Sequence, residues 1–340
     1  MLLRRRLSNR HPPFPSAFAV GVRLTGADGS RREFTLEYMD RGLLIRAGLA
    51  LTLAVLTAGN CGAKTFSGAA ALAYARQAVE LGPRPDGSPA IQKLRALIKR
   101  GLAKTGAQVV TDAFTATTPD GPVAMENIIA KFPGTASPGT TGKAIAITGH
   151  YDTKKLADFA GANDGGSSTG VLLELAAALT GQARSDDVYV VFFDGEEAVR
   201  QWTATDSLYG SRHLAEKWTA DGTNLKLKAL INVDMIGDKD LHLVYESQSA
   251  ASLRKLVWET AASLGYADAF PQRNGGPVDD DHVPFLNAGV TAIDLIDFDY
   301  GPGNTYWHTK EDTIDKLSAR SLETIGIVVM KVIEELERKK

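Results

Sequence analysis

Residues 188–214, VYVVFFDGEEAVRQWTATDSLYGSRHL, constrain this chain more than any other stretch. The run opens with VYVVFF, apolar, β-branched and aromatic without alternation. That suits a strand buried on both faces and is too short for a core helix. Asp194, Gly195, Glu196 and Glu197 follow at once. Two carboxylates therefore stand where a central strand hands over to a loop, the rim on which open α/β sheets keep their ligands. Neighbouring side chains point in different directions, so one glutamate can bind a metal while the next faces a substrate as a proton carrier. Taken alone, a Glu-Glu pair is also an ordinary solvated acidic turn, and the rest of the chain has to decide.

The segments around it alternate between strand and helix patterns. Residues 66–81 have helical spacing and stop at Gly82-Pro83, and residues 88–103 form a second helix with Ser88 as cap ahead of Pro89. Residues 109–116 and 125–132 read as strands separated by the turn-rich residues 117–122, and residues 143–148 as a third strand. An amphipathic helix over 167–179 precedes the central strand and a helix over 207–217 follows it. A strand over 227–233, a helix over 250–264, a strand over 290–296 and a closing helix over 318–337 complete the pattern. This alternation implies an α/β fold, a three-layer α/β/α sandwich around a central, mostly parallel twisted sheet. No internal repeat is visible.

With 340 residues, 44% hydrophobic and 23% charged, the chain can bury a full core, and one large domain over 64–340 is the simplest division. A net charge of −2 supplies no basic field, which argues against a nucleic-acid partner. Residues 1–38 are arginine-rich without a sustained apolar period, and no fold is assigned to them. From Met39 a basic start, an apolar run over 47–58 and small residues to Ala63 have the form of a secretory signal, too short for a comfortable membrane span. Residues 39–63 are therefore expected to direct a secreted or periplasmic protein, with residues 1–38 as an upstream extension. Cys61 follows Ala58-Gly59-Asn60, a poor fit to a lipid-attachment signal, and as the sole cysteine it leaves the body of the protein without a disulfide.

Polar residues recur at the predicted strand ends: His150 after one strand, Asp164 before a helix, Glu196 and Glu197 after the next strand, Asp234 after another, and His308 in a late loop. Carboxyl-end loops converge on one rim, so these groups can meet there. Nitrogen and carboxylate donors without thiolates suit zinc in an open, catalytic arrangement. Asp152, two residues beyond His150, points to the same side and can steady its imidazole. Singly, Asp164 or His308 reads as a surface turn or a core histidine; their joint occurrence favours a metal site. His11, His213 and His242 match no ligand context.

HYDT at 150–153, GANDGGSSTG at 161–170, FDGEEA at 193–198, NVDMIG at 232–237 and WHTKED at 307–312 resemble the zinc-dependent exopeptidase superfamily of co-catalytic aminopeptidases. Within it, FFDGEEAVRQWTATDSLYGSRHLA and DDDHVPFLNAGV are similar to glutaminyl-peptide cyclotransferases, or glutaminyl cyclases, over roughly residues 66–338. The resemblance implies that Asp164, Glu197 and His308 bind one Zn2+, that Glu196 shuttles a proton, and that Asp234 and Asp280 hydrogen-bond around the reacting centre. It further implies that Trp202 and Trp307 line the substrate pocket. His282 is a candidate substrate contact with an even case for a structural role, and His150, Asp152 and Asp234 are candidates for support or for a second metal. Asp294 departs from the pattern, standing where animal cyclases tend to carry a histidine, as does the loop over 297–306.

The activity so implied is cyclisation of N-terminal glutamine in peptides or proteins to pyroglutamate with loss of ammonia, by a secreted, monomeric bacterial enzyme with no stable membrane span. The alternatives are a zinc aminopeptidase and, from a different class, a non-catalytic relative that keeps the fold as a binding module. The last is disfavoured because no implied ligand or proton carrier is missing.

Overall fold

A computed structural model of the chain describes residues 20–25, 31–36, 64–135 and 142–339. Strands β1 (Val20–Thr25) and β2 (Arg31–Leu36) pair antiparallel within a unit of their own, residues to which the sequence assigned no fold. The signal-like segment 39–63, with Cys61, lies outside the described residues. No helix among the described residues is long and apolar enough to cross a membrane.

The second unit, Ala63–Lys340, is built on a six-stranded sheet. Its strands are β3 (Gln108–Thr118), β4 (Gly121–Phe132), β5 (Ala144–His150), β6 (Asp187–Phe193), β7 (Leu227–Asp234) and β10 (Ala292–Ile296). In space they run β10-β7-β5-β6-β4-β3. The first four are parallel neighbours, and β4 and β3 turn back antiparallel at the far edge. β3 and β4 extend further than their alternation suggested: Thr118 pairs with Gly121, so Pro119 and Asp120 alone make the turn where a loop over 117–122 was expected. A short parallel pair, β8 (Tyr245–Glu246) and β9 (Asn274–Gly276), has no apolar pattern and was not visible in the sequence.

Helices α1 (Gly68–Val79), α2 (Pro89–Leu102), α3 (Gly166–Ala178), α5 (Ala251–Ser263) and α7 (Ala319–Arg338) cover one face of the sheet. Helices α4 (Tyr209–Ala220) and α6 (His282–Asn287) cover the other, giving the three layers expected. Ser88 caps α2 as anticipated, its side chain accepting from Ile91 N at 3.1 Å with Pro89 in the first turn. One helix departs from expectation. α3 is not amphipathic in effect, because every residue but Ala177 is buried between the sheet and the covering helices α1, α2 and α7.

β5 lies between β6 and β7, so the chain leaves it in one direction and returns on its other side. Strand order reverses there, and the crevice above the carboxyl ends of β5, β6 and β7 is where such sheets bind ligands.

Candidate active site and metal centre

Each strand delivers its last residues to this crevice: His150 ends β5, Asp194 to Glu197 follow β6, and Asp234 ends β7. Asp164 arrives from the turn before α3. There Gly165 has φ +79°, and a Cβ on it would lie 2.3 Å from the Asp152 carbonyl oxygen and 3.2 Å from His150 Cε1. Only glycine lets the Asp164 turn pack this close.

The Glu196-Glu197 turn is tied on both sides. Leu208 N and Tyr209 N, at the start of α4, donate to the Glu196 and Gly195 carbonyls at 2.8 and 2.7 Å. From below, the Asp152 carboxylate accepts Glu196 N and Glu197 N, both at 3.2 Å, while facing His150 Nδ1 at 3.4 Å. Asp152 thus faces His150 and sets the backbone of the two glutamates as well.

Two side-chain groups result. His308 Nε2 lies 3.0 Å from Glu197 Oε1 and 3.2 Å from Asp164 Oδ2. His150 Nε2 lies 3.0 Å from Asp234 Oδ1 and 3.3 Å from Asp164 Oδ1. In each triad the donor atoms lie within 4.8 Å of one another, and Asp164 belongs to both. Asp164 Oδ2 is buried without a hydrogen-bond partner although His308 Nε2 is near, as happens when donors point at a common centre rather than at each other. His308 also has φ +53°, a conformation costly for a residue with a Cβ and one that gathers at functional sites. Two carboxylates and an imidazole, closely spaced and largely buried, fit a divalent metal of the zinc type with room for a further ligand.

A cavity of about 580 Å³ opens onto Asp164, Glu196, Glu197 and His308, with Asp234 and Asp280 on its wall. Trp202 and Trp307 line it. Trp307 stacks on His308 at 4.1 Å and packs against Phe298 at 4.9 Å.

A family model for peptidase family M28 matches residues 127–333, more than half of the chain. The chain belongs to peptidase family M28. The mouse glutaminyl-peptide cyclotransferase-like protein is 30% identical over 74% of this chain and 72% of its own. Among solved structures, the glutaminyl cyclase of an Acidobacteriales bacterium is 38% identical with a TM-score of 0.77, covering 83% of this chain and 98% of that one. A Zn-dependent exopeptidase from Parabacteroides distasonis is 26% identical with a TM-score of 0.71, covering 82% of this chain and all of that one. The resemblance to glutaminyl cyclases within the exopeptidase fold is therefore borne out.

Charge in this M28 site is arranged asymmetrically. Burial pushes Glu196 well above the ordinary glutamate range, reinforced by Glu197, Asp280 and Asp281 and opposed by His150. Burial likewise raises Asp234 to about 7, against the pull of His150. Burial would lower His308, but Asp164 and Glu197 outweigh it and lift the imidazole to about 9. Asp164 is held well below the usual carboxylate range, because His150 and His308 overcome its burial.

His282 does not line the cavity. It is fully buried at the start of α6, with Nε2 3.2 Å from Glu246 Oε2. Other residues of the M28 site were not singled out in the sequence. Lys154 Nζ reaches Glu197 Oε2 at 3.2 Å from the cavity wall. Asp312, inside the WHTKED motif, accepts Asn163 N at 2.8 Å and Asp164 N at 3.1 Å, tying the loop of His308 to that of Asp164. Asp206 accepts Val199 N, Arg200 N and Gln201 N, shaping the loop that presents the half-exposed Trp202. The motif match around WHTKED was the one signal for Asp312.

Proposed function

We propose that this chain is a zinc-dependent glutaminyl-peptide cyclotransferase that closes the N-terminal glutamine of peptides or proteins to pyroglutamate and releases ammonia. The observation that carries the reading is Glu196, a buried carboxylate of raised pKa, on the wall of the cavity that also reaches the Asp164, Glu197 and His308 triad. Asp164, Glu197 and His308 would hold one zinc ion, which when bound supplies a Lewis acid for the side-chain amide oxygen. Glu196 takes the proton from the attacking α-amine and gives it to the departing amide nitrogen, a task suited to a carboxylate whose pKa lies nearer the working pH. Amine and amide belong to one residue, so positioning supplies much of the rate. Trp202 and Trp307 flank the glutaminyl chain, and Asp234 and Asp280 accept hydrogen bonds from its nitrogens. Residues 39–63 direct export, and the enzyme works as a monomer.

A second reading, hydrolysis of N-terminal residues, draws on His150 and Asp234, which with Asp164 could hold a second ion beside the first. Peptides beginning with glutamine and with leucine separate the two. Ammonia and a pyroglutamyl product from the first, with no free leucine from the second, are expected. Free leucine without ammonia would overturn the cyclase reading.

A further inference from the structure

Below the ligands a second polar layer crosses the sheet. Thr148, Asn232 and Asp294 are register partners on β5, β7 and β10, each two residues before its strand ends. Alternation therefore puts Thr148 and Asn232 on the same face as His150 and Asp234, one step deeper. All three are buried. Thr148 Oγ1 donates to Asn232 Oδ1 at 2.8 Å, which fixes the amide and leaves Nδ2 as the donor on the other side. That one nitrogen serves two carboxyl groups, Asp280 Oδ1 at 3.0 Å and Asp294 Oδ1 at 3.1 Å.

The remaining oxygens, Asp280 Oδ2 and Asp294 Oδ2, are buried without a hydrogen-bond partner. No lysine or arginine reaches either carboxyl group among the described residues. The charged groups around them are Asp234 on β7, Glu196 after β6, and Asp281 beside α6, all acidic. His282 is turned to Glu246, and His150 is engaged by Asp152, Asp164 and Asp234. The Asp281 backbone amide also donates to Asp280 Oδ1, yet two buried carboxylates held on one side-chain amide and ringed by acids cannot both be ionised at modest cost, and a shared proton would give an orphaned oxygen a donor. Burial and the adjacent Asp280 act in this sense on Asp294, raising it well above the ordinary range.

We propose that Asp280 and Asp294 share one proton, and that Asp294 is a positioning residue which holds Asp280 on the cavity wall as half of a singly charged acid pair. The proton inventory stands on the buried geometry alone; its effect on turnover rests on the cyclase reading.

Infrared difference spectra of the zinc-loaded full chain in heavy water at about pH 8, wild type minus Asp294→Asn, test the pair in a range where ordinary carboxyls are ionised. The carbonyl stretch of a protonated carboxylic acid is expected in wild type and lost in the variant. On a glutamine-initiated peptide Asp294→Asn, whose amide still donates to Asp280, should keep kcat within about threefold, whereas Asp294→Val should lose about tenfold or more. A difference spectrum without the acid band would overturn the proposal, as would equal impairment of the two variants. The band is read without substrate, so an enzyme inactive on glutamine peptides would count against the cyclase reading and not against the pair.

Discussion

Glu196 and Glu197 leave one turn with both amides on Asp152, yet their carboxylates meet different partners. Glu197 faces His308 and Lys154, while the nearest charged nitrogen to Glu196 is His150 Nδ1 at 3.9 Å. Glu196→Gln is therefore expected to keep zinc and lose turnover by about 10²–10⁴-fold, the usual weight of a positioned proton carrier. Glu197→Gln is expected to lose zinc on dialysis. Metal content and ammonia release from the same preparations check both, and full activity in the two variants would refute this division of labour. The attacking amine must be neutral, so kcat/KM should rise through about pH 7.7–8.0, the ordinary range of a free α-amine. A plateau already reached at mildly acidic pH would contradict the assignment of nucleophile. At this scale the polar residues that meet at the crevice were legible because His150, Asp164, Glu196, Glu197 and Asp234 each sit at the end or start of a patterned element. Asp312 and Lys154 were not, because no local pattern says that a carboxylate will accept the amide of a residue 148 positions away.

Between the elements, buried polar residues do the joining. Arg84, fully buried at the turn between α1 and α2, donates to the carbonyls of Gly82, Ala160 and Gly161 at 3.1, 2.7 and 2.9 Å, and so fixes the loop leading to Asp164. Arg84→Met would leave three carbonyls unpaired while removing a buried charge. A net loss of about 3 kcal/mol is expected in urea unfolding, since each orphaned buried group costs about 1–3 kcal/mol. An unchanged midpoint would show that the loop holds without it. Glu246, closing β8, accepts Gln248 N, Ser249 N, Ser249 Oγ and Val278 N beside His282. Burial alone would raise its pKa, but His282, the Gln248 amide and Ser249 outweigh burial and hold it at about 2. A folded-state pKa below the unfolded value, ordinarily about 4.3, contributes stability that is complete above that value and is lost as pH falls toward 2. Thermal melts across this acid range should lose less stability in Glu246→Gln than in wild type, and parallel losses would contradict this role. β8, β9 and α6 went unseen in the sequence because they are two to six residues long and are held by such side-chain bonds rather than by an apolar repeat.

In the whole molecule the sheet does the gathering. Parallel strands β5, β6, β7 and β10 bring segments distant in sequence to one rim, and the reversal of order at β5 opens the crevice. Strand and helix alternation carried the layer architecture, since buried parallel strands have uniformly apolar sequences. It could not carry the antiparallel edge, where β3 exposes most of its residues, nor the complete burial of α3, which depends on the helices laid over it. The central claim is that a metal ion on Asp164, Glu197 and His308 and the carboxylate of Glu196 act together on one glutaminyl residue. Ammonia release from a glutamine-initiated peptide, followed as zinc is stripped by a chelator and then restored, tests it most directly. The account predicts that activity falls with the bound zinc and returns with it; metal-free protein that forms pyroglutamyl ends at the original rate would contradict it.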